Sequence, residues 1–350
     1  ADDYSEPVRD PVWKHIGLSR GLKACSQCPE VQLLGGIKQL GPASLVYPGA
    51  THTRLSHSFG VFHLGKLIIQ ELLRKEPDLG LTIEGVKAFL AATFLHDVGH
   101  FPYAHSLKEL PLLPHETLSG ELIRTGRLAE AIRTGVGTDP EFVAAIIDRR
   151  IPTADPEIRM YRNILSGVLD PDKLDYLNRD AYFCGVPYGV QDTDFIISCL
   201  LPHPDGIGLE EKGLSSVEHI LFSKYLMYRT VYWHRTVRSA TAMIKKAVFS
   251  ALSKGHLSAS DLYHKNDDEF FRCFLNSDMG EGVLVKAVAE RRLHKLAFET
   301  PFDHNNPAHE ALTNLRARAD AEAELASRIS GFCGTEVRSE EVIIDIPEQI

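Results

Sequence analysis

Apolar residues recur along most of the chain at the spacing of an α-helix. The pattern is densest over residues 55–75 and 84–97, which predict two buried helices. Shorter helical patterns follow near 115–125, 139–149, 156–165 and 171–183, and two more cover 282–298 and 307–329. A long helix is predicted from Ser215 and Glu218, whose spacing is typical of a capping box, to about Ser253.

Strand patterns are few and short. They predict strands at residues 44–47 and 341–346 and a hairpin near 206–211. The turn-rich segment 276–282 is the best candidate for a domain boundary. We therefore expect a mainly α protein with small β additions. Residues 1–275 would form a helical bundle, and residues 276–350 would add C-terminal helices and a terminal strand.

Composition narrows the class of protein. The 350 residues are 44% hydrophobic and carry 38 Lys and Arg against 47 Asp and Glu, a net charge of -9. This balance argues against a protein that coats duplex nucleic acid, since such a protein needs a basic surface. No apolar stretch reaches the roughly 18–20 residues of a membrane helix, and no signal peptide is visible. With six scattered cysteines, we expect a cytoplasmic protein that does not enter a membrane.

Histidine is unevenly distributed. Seven of the 16 histidines fall between residues 52 and 115. His96 and Asp97 are adjacent at the end of the second apolar helix, where both side chains can reach one ion. His57 shares a helix face with apolar residues and therefore points inward, where it needs a partner. Further along the chain, Asp172 can complete a set of two His and two Asp.

Imidazole and carboxylate together suit a divalent metal such as Mn, Fe, Co, Ni, Zn or Mg. Each residue has an ordinary alternative role, as a core histidine or as a helix cap. The joint arrangement of His57, His96, Asp97 and Asp172 is much harder to attribute to chance. It predicts a metal site in which Asp172, rather than Asp170 or Asp175, is the fourth ligand.

The segments around these residues resemble the HD-domain metal-dependent phosphohydrolases. Within that superfamily they resemble the deoxynucleoside triphosphate triphosphohydrolases, including the dGTPase-like enzymes. The resemblance rests on residues 53–58, 96–100 and 172–176, with further likeness at 37–41, 47–54 and around Arg291, and it covers roughly residues 28–300. It implies an HD-domain helical bundle over 1–275 and a nucleotide substrate.

The resemblance also implies roles for individual residues. His57, His96, Asp97 and Asp172 would hold the metal, while His115 with Glu116, His105 and His100 would serve catalysis. Substrate binding would fall to residues that reach the phosphates, the sugar or the base, namely Gln39, Arg54, Lys173, Tyr176, Asp180, Tyr232 and Arg235. Water would attack the α-phosphorus, and His115 or His105 would assist the leaving group. The products would be a deoxynucleoside and triphosphate.

A basic segment adds an independent signal. Between His219 and Ser260 the chain carries seven Lys and Arg and no Asp or Glu. Tyr228, Tyr232 and Arg235 are spaced to share one helix face there. Such a helix is either a solvated or interface helix or one wall of a nucleotide pocket, with Arg235 on the phosphates.

One departure and two alternatives stay open. Related enzymes often carry an acid where this chain has Lys108, so the acid that orients a catalytic histidine is missing or displaced to Glu109. The chain could act on another phosphoester, such as a nucleoside monophosphate, a cyclic nucleotide or single-stranded nucleic acid. It could also bind nucleotides without catalysis. Resemblance to the family favours a homo-oligomer.

Overall fold

The computed structural model describes residues 4–204, 206–275 and 280–347. The helices of the first half are α1 (Arg20–Ser26), α2 (Pro29–Leu33), α3 (Arg54–Lys75), α4 (Ile83–Leu95), α5 (His115–Ile123), α6 (Gly126–Glu130), α7 (Pro140–Ile147), α8 (Pro156–Leu165) and α9 (Pro171–Cys184). Those of the second half are α10 (Thr193–Ser198), α11 (Leu214–Met227), α12 (Arg235–Ser253), α13 (Asp267–Leu275), α14 (Gly282–Ala289), α15 (Pro307–Ala311) and α16 (Leu315–Cys333). The prediction of a mainly α fold is confirmed.

The β structure consists of two small antiparallel hairpins. Strand β1 (Glu6–Asp10) pairs with β2 (Lys14–Leu18), and β3 (Leu200–His203) pairs with β4 (Gly206–Leu209). The second hairpin was predicted from the sequence, although β3 lies before the predicted segment. The first was missed, because alternation over five residues is too short to stand out.

The chain divides into two compact units. One comprises Ala1–Pro102, Leu113–Arg229 and Tyr263–Asp267, and the other comprises Tyr103–Leu112, Thr230–Leu262 and Asp268–Ile350. The predicted boundary near 276–282 lies partly outside the described residues, and the division into 1–275 and 276–350 stays a prediction. None of the described helices combines the length and apolar content that crossing a bilayer demands.

The first unit is built around α3. This helix begins after the N-cap Thr53 and packs against α4 and α9. Its inner face buries Val61, Phe62, Leu64 and Ile68. Helix α4 is almost wholly buried from Ala88 to Leu95, as its continuous apolar sequence predicts. These three helices bring distant segments of the chain together at one end of α4.

Two predicted strands are not formed. Residues 44–47 lie in and after a 3₁₀ helix at Gly41–Leu45, where Pro42 at an early position favours a helical turn. Residues 342–346 pair with no strand among the described residues. Their polar groups are bonded by side chains instead: Lys246 Nζ donates to the Val342 carbonyl at 2.8 Å, and the Ile344 N–H donates to Glu322 at 2.7 Å.

The long helix predicted from Ser215 to Ser253 is interrupted. The chain forms a π-helical turn over Tyr228–Tyr232, and α12 starts afresh at Arg235, capped by the His234 side chain. Tyr228, Tyr232 and Arg235 are therefore not on one uninterrupted helix. The predicted capping box does not form either, because α11 continues from a 3₁₀ turn at Glu211–Gly213.

Two helices near the C-terminus are also shorter than predicted. The helix expected over 282–298 ends at Ala289, since Arg291 adopts a left-handed backbone conformation. The one expected over 307–329 is divided into α15 and α16, where the Asn314 side chain caps a new start.

Candidate metal centre

Helix α3 supplies the first residue of the site. His57 lies one turn into the helix and is 1% exposed. Its Nδ1 atom is 2.8 Å from Asp175 Oδ2, and its Nε2 atom is 2.9 Å from Asp172 Oδ1. Both ring nitrogens of this buried histidine therefore face carboxylates on α9.

The end of α4 supplies the next two residues. His96 follows the last helical residue, and its Nδ1 atom contacts the Thr93 carbonyl oxygen at 3.0 Å. Asp97 is buried beside it and accepts a 2.7 Å hydrogen bond from Arg54. Gly99 allows α5 to approach this turn, because a Cβ atom there would lie 2.2 Å from the Ser119 backbone nitrogen.

Helix α9 supplies the fourth predicted ligand. Asp170 caps the helix by accepting from the Lys173 N–H at 2.7 Å, and Pro171 occupies the first helical position. Asp172 then projects towards the two histidines, 2.9 Å from His57 Nε2 and 3.9 Å from His96 Nε2. The cap role of Asp170 leaves Asp172 as the residue that reaches the cluster.

These residues suit a divalent metal. Ligand atoms of His57, His96 and Asp97 all lie within 4.8 Å of one another. His96 Nε2 is enclosed by protein, and no hydrogen-bond partner for it exists among the described residues. This nitrogen lies 3.4 Å from Asp97 Oδ1 and 3.9 Å from Asp172 Oδ1, and an enclosed imidazole nitrogen beside two carboxylates suits a metal ligand. The assignment of all four residues as ligands stays a prediction.

Neighbouring side chains keep the Asp97 carboxylate ionised. Burial raises the pKa of Asp97, but the side chains of His100, His96 and Arg54 outweigh burial and hold the pKa well below its usual range. Burial lowers the pKa of His57, whereas its hydrogen bonds to Asp172 and Asp175 raise that pKa to about 10.

A second pair of histidines lies next to Asp97. The rings of His100 and His115 stack with centroids 3.8 Å apart. His100 Nε2 is 3.2 Å from Asp97 Oδ1, and His115 Nε2 is 3.8 Å from the same oxygen. Glu116, also predicted to serve catalysis, lies 3.4 Å from His115 Nδ1. Asp97, His100 and His115 form a second group whose geometry suits a cation.

Among the predicted substrate residues of the first unit, Arg54 contacts the cluster, and Lys173, Tyr176 and Asp180 lie on α9. Arg54 donates a hydrogen bond to Asp97 of the cluster. Lys173 donates to the Gly167 carbonyl at 2.9 Å and to Asp170. Burial, together with nearby acids, raises the pKa of Tyr176, so its hydroxyl stays protonated. Gln39 Oε1 is enclosed, with no hydrogen-bond partner among the described residues.

Asp180 has a partner that sequence reasoning missed. His52, to which the sequence analysis assigns no role, places its Nε2 atom 2.8 Å from Asp180 Oδ1, and both residues are buried. The backbone carbonyl of His52 also accepts from the Gln39 N–H at 3.0 Å. The sequence signals for His52 were its place in the histidine-rich region and in segment 47–54, which resembles the family.

Three predicted residues belong to the second unit. His105 is exposed in a 3₁₀ helix at Ala104–Leu107, Tyr232 ends the π-helical turn, and Arg235 begins α12. In the same unit Glu109 accepts a 2.6 Å hydrogen bond from Lys245 and lies 3.0 Å from Arg318. Glu109, which follows Lys108 in the sequence, is therefore paired with two cationic side chains of its own unit. Roles for all three predicted residues stay predictions.

Comparison with known proteins identifies relatives of this chain. Residues 191–350 match the family described as the HD associated region. An uncharacterized protein of Bacillus subtilis is 33% identical over 70% of this chain and 53% of its own length. One from Mycoplasma genitalium is 31% identical over 77% of this chain and 72% of its own. The deoxynucleoside triphosphate triphosphohydrolase SAMHD1 of Gallus gallus is 27% identical over 85% of this chain and 57% of its own.

Two solved structures are similar to this chain over most of its length. A phosphohydrolase from Bacteroides thetaiotaomicron superimposes with a TM-score of 0.73 at 26% identity, over 95% of this chain and 85% of that one. A hypothetical protein from Aquifex aeolicus gives a TM-score of 0.71 at 28% identity, over 90% and 82% of the two chains. A helical fold that brings two histidines and aspartates together is the arrangement expected of an HD-domain protein. The chain belongs to the HD-domain phosphohydrolases. It spans little more than half of the Bacillus and Gallus relatives.

Proposed function

We propose that this protein is a metal-dependent hydrolase of deoxynucleoside triphosphates that releases a deoxynucleoside and triphosphate. The observation that carries the proposal is the layout of α9. Asp172 contacts the histidine cluster, and Tyr176 and Asp180 follow at intervals of four residues. Four residues advance a helix by about 6 Å, so all three lie along one face. A phosphate held at the cluster would leave its sugar beside Tyr176 and Asp180.

Different residues of the chain would have different roles in this reaction. When bound, a divalent ion lowers the pKa of water and polarises a phosphoryl oxygen. Arg54 holds Asp97 in place and adds positive charge near the phosphates. Water forms the new bond to the α-phosphorus, and the bond from that phosphorus to the sugar 5′-oxygen breaks. His115, beside Asp97, delivers a proton to that oxygen, and the proton that the attacking water loses passes to the solvent.

Two comparisons support this substrate class. The Gallus relative is itself called a deoxynucleoside triphosphate triphosphohydrolase, and the Bacteroides structure is called a phosphohydrolase. The N–H group of Gln39, whose Oε1 is enclosed, donates to the His52 carbonyl, and the His52 side chain contacts the buried Asp180. These groups suit a ligand with hydroxyls. Assembly as a homo-oligomer and a cytoplasmic location stay predictions.

The test is a product assay. Protein loaded separately with Mn, Mg, Fe, Co, Ni or Zn is incubated with the four dNTPs and the four NTPs, and the products are separated. We expect triphosphate and deoxynucleoside from dNTPs, and no turnover by the Asp172→Asn variant. Release of orthophosphate or a monophosphate would replace this proposal with hydrolysis of another phosphoester. Metal binding without turnover of any nucleotide would point to a non-catalytic nucleotide-binding protein.

A further inference from the structure

Asp175 lies directly behind the proposed metal ligand His57. It is fully buried on α9, and its Oδ2 atom contacts His57 Nδ1 at 2.8 Å. The opposite ring nitrogen faces the cluster, 2.9 Å from Asp172. A carboxylate on Nδ1 fixes the tautomer of the ring and leaves Nε2 available as a ligand.

Asp175 is itself held by two donors. Arg179, one turn further along α9, donates to both of its oxygens at 2.8 and 2.9 Å. Trp13 donates its indole N–H to Asp175 Oδ1 at 2.5 Å. Because a guanidinium presents a rigid fork of donors, this bidentate contact sets the plane of the carboxylate. Neither donor is used by the proposed reaction.

The chain of contacts continues to the first hairpin. Arg179 is wholly buried and also donates to Asp10 Oδ2 at 2.8 Å. Asp10 ends β1 and accepts from the backbone N–H groups of Val12 and Trp13 at 2.9 Å each. The conformation of the hairpin turn is thereby connected, through two ion pairs, to the orientation of His57.

Helix α3 makes room for this arrangement. A Cβ atom at Gly60 would lie 1.8 Å from Asp175 Oδ1 and 2.5 Å from Arg179 Nη2. No side chain other than hydrogen fits there while the ion pair keeps its place. The glycine therefore serves the close approach of α9, three residues beyond His57.

We infer that Asp10, Trp13, Arg179 and Asp175 form a positioning chain that sets His57 for metal binding, so that the β1–β2 hairpin belongs functionally to the metal centre. This inference rests on the metal site of the proposed function. Trp13 and Asp10 are 162 and 169 residues from the α9 atoms they contact. The hairpin would stabilise the bound state by removing freedom from a ligand before the metal arrives.

The experiment measures metal affinity rather than activity. Mn²⁺ binding to the full chain is titrated by calorimetry and by electron paramagnetic resonance, with the melting temperature recorded for every variant. We expect Asp10→Asn and Gly60→Ala to weaken Mn²⁺ binding by about tenfold or more. Gly85→Ala, on α4, is the matched control. A Cβ atom at Gly85 would also collide with a carboxylate, since it would lie 2.1 Å from Glu157 Oε1.

The outcomes separate the two proposals. The inference is overturned if Asp10→Asn and Gly60→Ala bind Mn²⁺ as tightly as the wild type. It is also overturned if Gly85→Ala, at an equal loss of melting temperature, weakens binding as much. Where Asp10→Asn does not fold, Trp13→Phe carries the test, because it removes only the indole donor. A wild type that binds no divalent metal would refute the proposed function, and this inference with it.

Discussion

The Nε2 atom of His52 lies 2.8 Å from Asp180 Oδ1, and the His52 ring stacks on Phe183 at 4.6 Å. This pair connects the segment before α3 with the last turns of α9. We predict that His52→Phe, which keeps a ring but removes the polar contact, raises KM for a dNTP about tenfold with a smaller effect on kcat. Steady-state kinetics with dNTPs measure this change. His294→Phe, in the second unit, serves as the control, and an unchanged KM would contradict a role for His52.

Asp172 and Asp170 are expected to differ in their effect on metal retention. Asp172→Asn removes a charged group from the cluster and is expected to lower bound metal at least about tenfold. Asp170→Asn keeps a good N-cap residue at the start of α9 and is expected to retain the metal. Metal content after dialysis, measured by mass spectrometry, decides. Equal losses in the two variants would mean that the fourth ligand is assigned incorrectly.

His115 is predicted to act on protons rather than on metal retention. Its ring stacks on His100 and lies 3.8 Å from Asp97. His115→Asn should lower kcat about 10²- to 10⁴-fold, the range typical of general acid catalysis, and leave metal affinity within about twofold. Glu116→Gln should have a milder effect, about tenfold. A variant that loses metal together with activity would instead identify His115 as a ligand.

Acid stability of the second unit should depend on Glu281. Burial raises its pKa, but hydrogen bonds from Lys254, Ser250 and His256 outweigh burial and lower the pKa to about 2. A pKa that is lower in the folded state adds stability above the unfolded value near 4.5, and this stability is lost as the pH falls towards 2.

The variant Glu281→Gln should therefore lower the free energy of unfolding by about 1–2 kcal/mol at pH 7, a figure reduced because Lys254 is half exposed. The difference from wild type should shrink below about pH 4. Denaturant unfolding at a series of pH values measures it. A difference that stays constant from pH 7 to pH 2 would show that the ion pair does not contribute.

Helices were predictable where one face or the whole surface of a segment is apolar. The predicted helices at 55–75, 84–97 and 156–165 are confirmed as α3, α4 and α8, within two residues. One strand prediction was wrong because side chains from elsewhere bond the backbone. Residues 341–346 look like a strand, but Lys246 and Glu322 bond the polar groups of that segment.

The candidate site was also predictable only in part. The sequence alone determined that His57 points inward and that His96 and Asp97 end an apolar helix, because these properties depend on periodicity over a few residues. Only the tertiary structure decided the partners: Arg54 with Asp97, His52 with Asp180, and Asp175 with His57. Such pairs join residues 43 to 128 positions apart. No local pattern encodes them, since they depend on how α3, α4 and α9 pack together.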